Sequence, residues 1–244
     1  MFNLKELEFN KIKAAPHLVN SEFYNFICQD IIERISSLKG DFKNILVINA
    51  PIHDKIQQLL IENFIQSQIK FENLYGNQLG SKKYDLIIFP FGLHWFSNVQ
   101  IFLQDIKQLL TKNGIFIANF AGGGTLHNLR RKLIEVEGLC SVNHTPHIIP
   151  FIRFDDMVPL LQQAGYVENI IDMESLELIY DSPFHLMKDL KKYGDNNILT
   201  HRSFYSINKN MYCELKHKSE IDFTDYVNLI TFISSSTKGA IKLL

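Results

Sequence analysis

Apolar positions switch from strand period to helix period and back within Tyr84–Phe120, and the rest of the chain is organised around that stretch. Tyr84–Pro90 is a short, nearly continuous apolar run, the pattern of a strand buried on both faces of a parallel sheet. Val99–Leu110 places Ile101, Phe102, Ile106, Leu109 and Leu110 along one face of an amphipathic helix. Thr111–Gly114 breaks that helix, and Ile115–Phe120 reads as a second buried strand. The three segments predict a right-handed βαβ unit. Ligands of open α/β sheets sit outside the carboxyl ends of the strands. Those ends carry Phe91-Gly92-Leu93-His94-Trp95 and Ala121-Gly122-Gly123-Gly124-Thr125, the first places to look for a site.

The flanking pattern extends this unit. Ser21–Leu38 has helical spacing with Ser21 as N-cap and Gly40 beyond its end, and Met1–His17 reads as an irregular arm. Asn44–Ile48 is a buried strand, Asp54–Ile65 a helix, and Ile69–Tyr75 a further strand. After Phe120 a helix is expected from Gly124 or Thr125 to Val136, then a loop over Gly138–Phe151 rich in His and Pro. Asp155–Ala164 is read as a helix stopped by Gly165. Tyr166–Met173 and Leu176–Tyr180 read as a hairpin turning at Glu174-Ser175. Helices are expected over Pro183–Tyr193 and Ser203–His217, and Phe223–Ile233 ends the sheet. No repeat or linker tract interrupts the chain. It reads as one domain with a helical arm over 1–40, a core over 41–173 and a C-terminal extension over 174–244.

Composition narrows the classes of function. Of 244 residues, 46% are hydrophobic and 21% charged, ordinary for a globular protein. A formal net charge of −1 gives no electrostatic reason to expect nucleic acid. The apolar runs are strand-sized, so no membrane span is predicted. The opening MFNLKELEFNKIKAAP resembles neither a signal nor a transit peptide. Cys28, Cys140 and Cys213 are odd in number and far apart. Both observations suit a cytoplasmic protein.

The order of elements resembles that of class I S-adenosylmethionine (SAM)-dependent methyltransferases. Leu93-His94-Trp95 is similar to the post-strand loop of several such enzymes, including the carrier-protein methyltransferase of biotin synthesis. GGGTLHNLR (Gly122–Arg130), PHIIPF (Pro146–Phe151), YDSPFHLMKDLKKYGDNN (Tyr180–Asn197) and FTDYVNLITFI (Phe223–Ile233) together resemble the methyltransferase-like assembly factors of respiratory complex I and their bacterial relatives. The resemblance covers roughly Tyr84 onward. It implies a Rossmann-like class I methyltransferase sheet with helices on both faces and antiparallel C-terminal strands. It also implies a SAM-type cofactor, and a protein substrate or respiratory-complex subunit as partner. In that family the fold is implicated in hydroxylating an arginine of a complex I subunit.

The cofactor half departs from that pattern. Asn49, Ala50, Pro51 and Leu93 fall at the family's cofactor-binding positions, but Asn49, Pro51 and His53 stand where three glycines are usual, and Val47 where an acid is usual. Proline fixes φ and donates no N–H, so Pro51 argues against ordinary SAM binding. Glu72 is the nearest candidate for the acid that would hold the ribose. Asn49 to Tyr84 is 35 positions, room for one crossover plus a link where the full fold needs three. The N-terminal cofactor half is therefore expected to be shortened. Two readings follow: an active SAM-dependent enzyme, or a catalytically inactive binding and assembly factor on the same scaffold.

The candidate chemistry sits near the strand ends. His94 could bind substrate or move a proton and Trp95 could wall a pocket; alternatively Trp95 packs under the next helix and His94 caps it. Gly122, Gly123 and Gly124 could offer amides to an anion or simply form a turn. His147 is a second catalytic candidate beneath that loop, with Arg130 as a substrate contact or an exposed helix residue. Cys140, His144 and His147 have metal-ligand types without a fourth ligand, so no metal is expected. Asp155 and Asp156 suit a helix N-terminus, and His201-Arg202 suits the surface. No triad-like spacing suggests a hydrolase.

Overall fold

The computed structural model describes residues 2–74, 80–139, 146–200, 209–216 and 222–243. Among these, six strands form one sheet in the order β2-β1-β3-β4-β6-β5. The strands are β1 (Asn44–Ile48), β2 (Gln68–Glu72), β3 (Tyr84–Phe89), β4 (Leu110–Ala121), β5 (Glu168–Tyr180) and β6 (Phe223–Ser235). β1 to β4 run parallel, and β6 runs antiparallel between β4 and β5. The alternation of side chains explains the continuous apolar runs. Ile45, Val47, Leu86, Ile88, Ile115 and Ile117 pack on one face against α2 (Glu22–Ser36) and α3 (His53–Asn63). Leu46, Ile48, Ile87, Phe89, Phe116 and Ala118 pack on the other against α4 (Val99–Leu109) and α6 (Phe154–Gln163). A strand covered on both sides leaves no polar period to read.

The α/β sheet with a shortened N-terminal half and antiparallel C-terminal strands is as expected: between β1 and β3 only α3 and β2 are described. Several local expectations need correcting. Met1–His17 is not irregular, because Leu4–Leu18 forms helix α1, capped by Asn3 Oδ1 accepting from Glu6 N at 3.2 Å. It buries only Leu7, Ala14 and Leu18, too narrow a stripe to register as a helical period. The expected hairpin at Glu174-Ser175 is one unbroken strand, β5. It pairs with β6 from Glu168↔Ser235 to Tyr180↔Phe223. Glu174 and Ser175 are exposed on an edge strand, so polarity there does not require a turn.

Thr111–Gly114 does not separate helix from strand. β4 begins at Leu110, and the irregularity appears as a register shift between the Tyr84↔Leu110 and Leu86↔Ile115 pairs. Helix α5 (His127–Leu139) starts later than Gly124. Asp155 and Asp156 lie in the first turn of α6, whose N-cap is Arg153, so they act through the helix dipole and not as caps. α7 spans Pro183–Lys192 and α8 spans Lys209–Lys216. The rest of the helix expected over Ser203–His217 lies outside the described residues.

The late start of α5 has a specific cause. Its first amides are satisfied from a distant strand: Asp225 of β6 accepts from Asn128 N at 3.2 Å and Leu129 N at 2.7 Å, and from Tyr226 N at 2.9 Å. Asn128 Nδ2 answers by donating to Thr224 O at 2.9 Å. Asp225 and its donor Leu129 are both buried, so that amide has no water to fall back on. We expect Asp225→Ala to cost about 2–3 kcal/mol, a lost cap plus an orphaned buried amide, and Asp225→Asn to cost less. Urea midpoints at unchanged m-value would measure it; a loss under 0.5 kcal/mol (about the size of a neutral surface change) would mean that α5 is capped otherwise.

Candidate ligand site

Two cavities open at the carboxyl ends of the parallel strands. The larger, about 440 Å³, lies between the loops after β3 and β4, the segment 146–151, and α7 with its following turn. His94 and Trp95 come from the short 3₁₀ turn Leu93–Trp95, which follows β3 through Phe91 at φ +48°. Phe91 N is held by Asn119 Oδ1 of β4 at 2.8 Å. His94 is buried among rings, with centroids 4.8 Å from Phe91, 4.8 Å from Trp95 and 6.0 Å from Phe151. Its Nδ1 accepts from Ala121 N at 3.3 Å. Burial, and secondarily the Lys11 ammonium, holds its pKa well below the usual histidine value. The ring is therefore neutral and carries its proton on Nε2, away from β4.

Neither of the alternative roles for this pair holds. Asn98, not His94, caps α4, accepting from Ile101 N at 3.1 Å. Trp95 packs not under α4 but against Leu7 of α1, Ile149 and Ile198, forming one wall of the cavity. His147 also lines this cavity, held by the buried Glu137 of α5 at 2.6 Å. The structure thus brings His94, Trp95 and His147 around one space. Aromatic faces of Tyr24, Phe91 and Phe151 complete much of the wall, and Asp189 and Asp195 supply carboxylates. Asp189 accepts from Tyr180 OH at 3.1 Å; burial and that carboxylate push the phenol pKa up.

The remaining candidates frame the cavity without lining it. Gly122 N donates to Asn228 O at 2.7 Å and Gly123 N to Ile152 O at 2.7 Å, so neither amide is free for an anion. The glycines are required by packing: a Cβ on Gly122 would meet Ile230 Cδ1 at 2.2 Å, and Gly124 sits at φ +88° against Asn228. Arg130 donates to Ile149 O at 3.1 Å and Asn197 Nδ2 to Pro146 O at 2.6 Å. These bonds hang the 146–151 segment over the cavity. Cys140, His144, His201 and Arg202 lie outside the described residues. Among the described residues no three His, Cys, Asp or Glu side chains group as metal ligands, and no helix is long and apolar enough to cross a membrane.

The smaller cavity, about 380 Å³, lies at the ends of β1 and β2 and is roofed by α1. Asn49, Ala50 and Pro51 line it with His53, Phe71 and Glu72, whereas Leu93 points into the core on the α4 side. This is where the fold would seat SAM. The loop after β1 is folded back on β2 instead: Asn49, at φ +50°, donates its N–H to Glu72 O at 2.9 Å, and its Oδ1 accepts from Leu74 N at 2.7 Å. Pro51 has no amide to offer, and His53 stacks on Phe71 at 4.0 Å. Glu72 at the end of β2 lines this cavity as a candidate ribose acceptor, with Glu8 and Asn73 beside it, and it pairs with Lys70. Pro51 therefore withholds one amide from the carboxylate end of SAM, whereas Asn49 Nδ2 is a buried donor with no partner among the described residues.

Sheet order, helices on both faces and cavities at the strand ends define a class I methyltransferase-type scaffold. The chain is 38% identical over 220 residues to RP459 of Rickettsia prowazekii (strain Madrid E), a protein named as a methyltransferase. The match covers 88% of this chain and 96% of that one. The chain belongs to the same methyltransferase family as that protein. It is also 30% identical over 146 residues to the mitochondrial arginine-hydroxylase NDUFAF5 of Rattus norvegicus, covering 58% of this chain but 43% of that protein. A solved Bacillus halodurans protein named as a methyltransferase (BH2331) shares the fold, with a TM-score of 0.52 at 12% identity, covering 85% of this chain and 97% of that one. No family model matches the chain.

A neutral buried His94 has a thermodynamic signature. Below pH 6.5, its ordinary value, the unfolded chain takes up a proton that the folded ring refuses. Stability is then complete above that pH and falls as pH drops, by at most about 1.4 kcal/mol per pH unit from this group. His94→Gln keeps an acceptor for Ala121 N–H and should show a shallower loss between pH 6.5 and 5 in urea titrations. Equal slopes for the two proteins would refute the neutral assignment.

Proposed function

We propose that this chain is a methyltransferase-fold binding and assembly factor, which takes an arginine side chain of a respiratory-complex subunit into the larger cavity. The observation that carries the reading is that cavity's wall, where aromatic faces from Tyr24, Phe91, Trp95 and Phe151 stand beside the carboxylates of Asp189 and Asp195. A guanidinium is planar, weakly hydrated and forked, so it suits aromatic stacking and carboxylate pairing together. His94, neutral and with Nε2–H available, would hold a carbonyl or other acceptor of the ligand, and His147 is kept in place by Glu137. The relatives named as arginine-hydroxylases support this class of ligand.

The closed loop at Asn49–Pro51 supports binding without ordinary methyl transfer. The second reading, a SAM-dependent transferase acting on the same side chain, is favoured by the smaller cavity and by Glu72 at the end of β2. When bound, SAM would supply an electrophilic methyl group, and Pro51 would withhold one amide from its carboxylate.

Trp95 is the only tryptophan, so its emission reports on the cavity. Acetyl-Gly-Arg-Gly-amide should change that emission saturably, while the citrulline peptide, isosteric but uncharged, should not. Matching responses would remove arginine recognition. In calorimetry, SAM and S-adenosylhomocysteine at millimolar concentration should give no heat; a micromolar Kd would restore the transferase reading.

A further inference from the structure

Lys11 of α1 and Asp195, just after α7, form an ion pair through the wall that the two cavities share. Asp195 lines the larger cavity, Lys11 the smaller, and Tyr24 lines both. Lys11 Nζ donates to Asp195 Oδ1 at 2.6 Å, Tyr24 OH at 2.9 Å and Tyr193 O at 3.3 Å. Those three acceptors use all three donors of the ammonium. Tyr24 OH donates to the other carboxylate oxygen at 2.5 Å. The charged side chains are only 15% and 13% exposed. The turn bearing Asp195 also lies close against α1: Gly194 is at φ +72°, and a Cβ there would meet Asn10 O at 2.8 Å.

Stability alone does not account for this arrangement, because a buried pair is often no better than apolar residues of the same volume. Beyond this pair, α1 is held by buried Leu7, Ala14 and Leu18 and at its start by Asn3 N donating to Ile198 O at 2.9 Å, while Phe9 and Ile12 stay exposed. Asp195, by contrast, is already desolvated and already carries a cation at the edge of a cavity.

We propose that Asp195 is a cation subsite of the larger cavity, filled by the chain's own Lys11 until a guanidinium or ammonium group of the ligand displaces it. The exchange frees α1 and uncovers the smaller cavity. This rests on the cation-binding reading of the larger cavity. A like-for-like swap leaves the carboxylate paired throughout, whereas a neutral ligand would leave Lys11 in place. Occupancy of one cavity thereby controls access to the other.

The test uses the full chain, the acetyl-Gly-Arg-Gly-amide titration of Trp95, and hydrogen–deuterium exchange over α1. If Lys11 holds Asp195 in nine of ten molecules, Lys11→Met tightens apparent binding about tenfold. Lys11→Arg keeps the internal cation and the wild-type affinity, and Asp195→Asn loses saturable binding. Peptide should speed exchange over Leu4–Leu18 in the wild type. If wild type and Lys11→Met bind equally well, the cavity reading stands and the exchange falls. Absence of binding in every variant overturns both. Should Lys11→Met fail to fold, the wild type decides: exchange over α1 that peptide slows or leaves unchanged overturns the proposal.

Discussion

Asp225 and Asn228 of β6 hold together the glycine turn, the start of α5 and the segment that lies over the larger cavity. Asp225 supplies the acceptors for the first turn of α5. Three residues on, Asn228 O accepts from Gly122, its N donates to Thr125 Oγ1 at 3.1 Å, and its Nδ2 donates to Gly123 O at 2.8 Å. The glycine turn so fixed presents Gly123 N to Ile152 O, and the helix so fixed presents Arg130 to Ile149 O and Glu137 to His147. The segment over the cavity is therefore suspended from a strand about eighty residues further along the chain. Removing the acceptors would loosen the turn, the helix and the lining together, because the groups involved are buried and have no alternative partners.

This geometry recasts the motifs that stood out in the sequence. Three consecutive glycines suggest an anion cradle, but the amides of Gly122 and Gly123 are bonded within the protein, and the missing side chains of Gly122 and Gly124 make room for Ile230 and Asn228. Arg130 looks like a substrate contact and instead supports a backbone carbonyl. Strands β1 and β3 were legible because burial on both faces leaves an unmistakable apolar run, and the short spacing before Tyr84 correctly indicated a reduced cofactor half. Helix α1 and the continuity of β5 were not legible. A narrow buried stripe and an exposed polar pair carry little periodic information. His94, Trp95 and His147 could be placed near strand ends by their motifs. Lys11, Tyr24, Glu137 and Asp195 could not, since nothing local distinguishes a lysine that pairs across 184 positions from one on a solvated helix face.

Fold and chemistry also separate along the sheet. The side made by β3, β4 and β6 keeps a formed cavity with histidines, aromatic rings and carboxylates. On the side made by β1 and β2, the loop that should stay open to a cofactor uses its own amide and side chain to close on Glu72 and Leu74. Different strands build the two cavities, so each can change without the other.

The insertion of β6 between β4 and β5 sets the order in which this molecule can be assembled. Both neighbours precede it in the chain, and it pairs with β4 from Ile115 to Ala121 and with β5 along its whole length. Until Phe223–Ser235 arrives, β4 presents an unpaired apolar edge and β5 has no partner strand. Contacts of such long sequence separation form slowly, and unpaired edges invite association with other chains. The nascent protein is thus at its most aggregation-prone just before the cavity exists, and the strand that protects its edges is the same one that positions its ligand site.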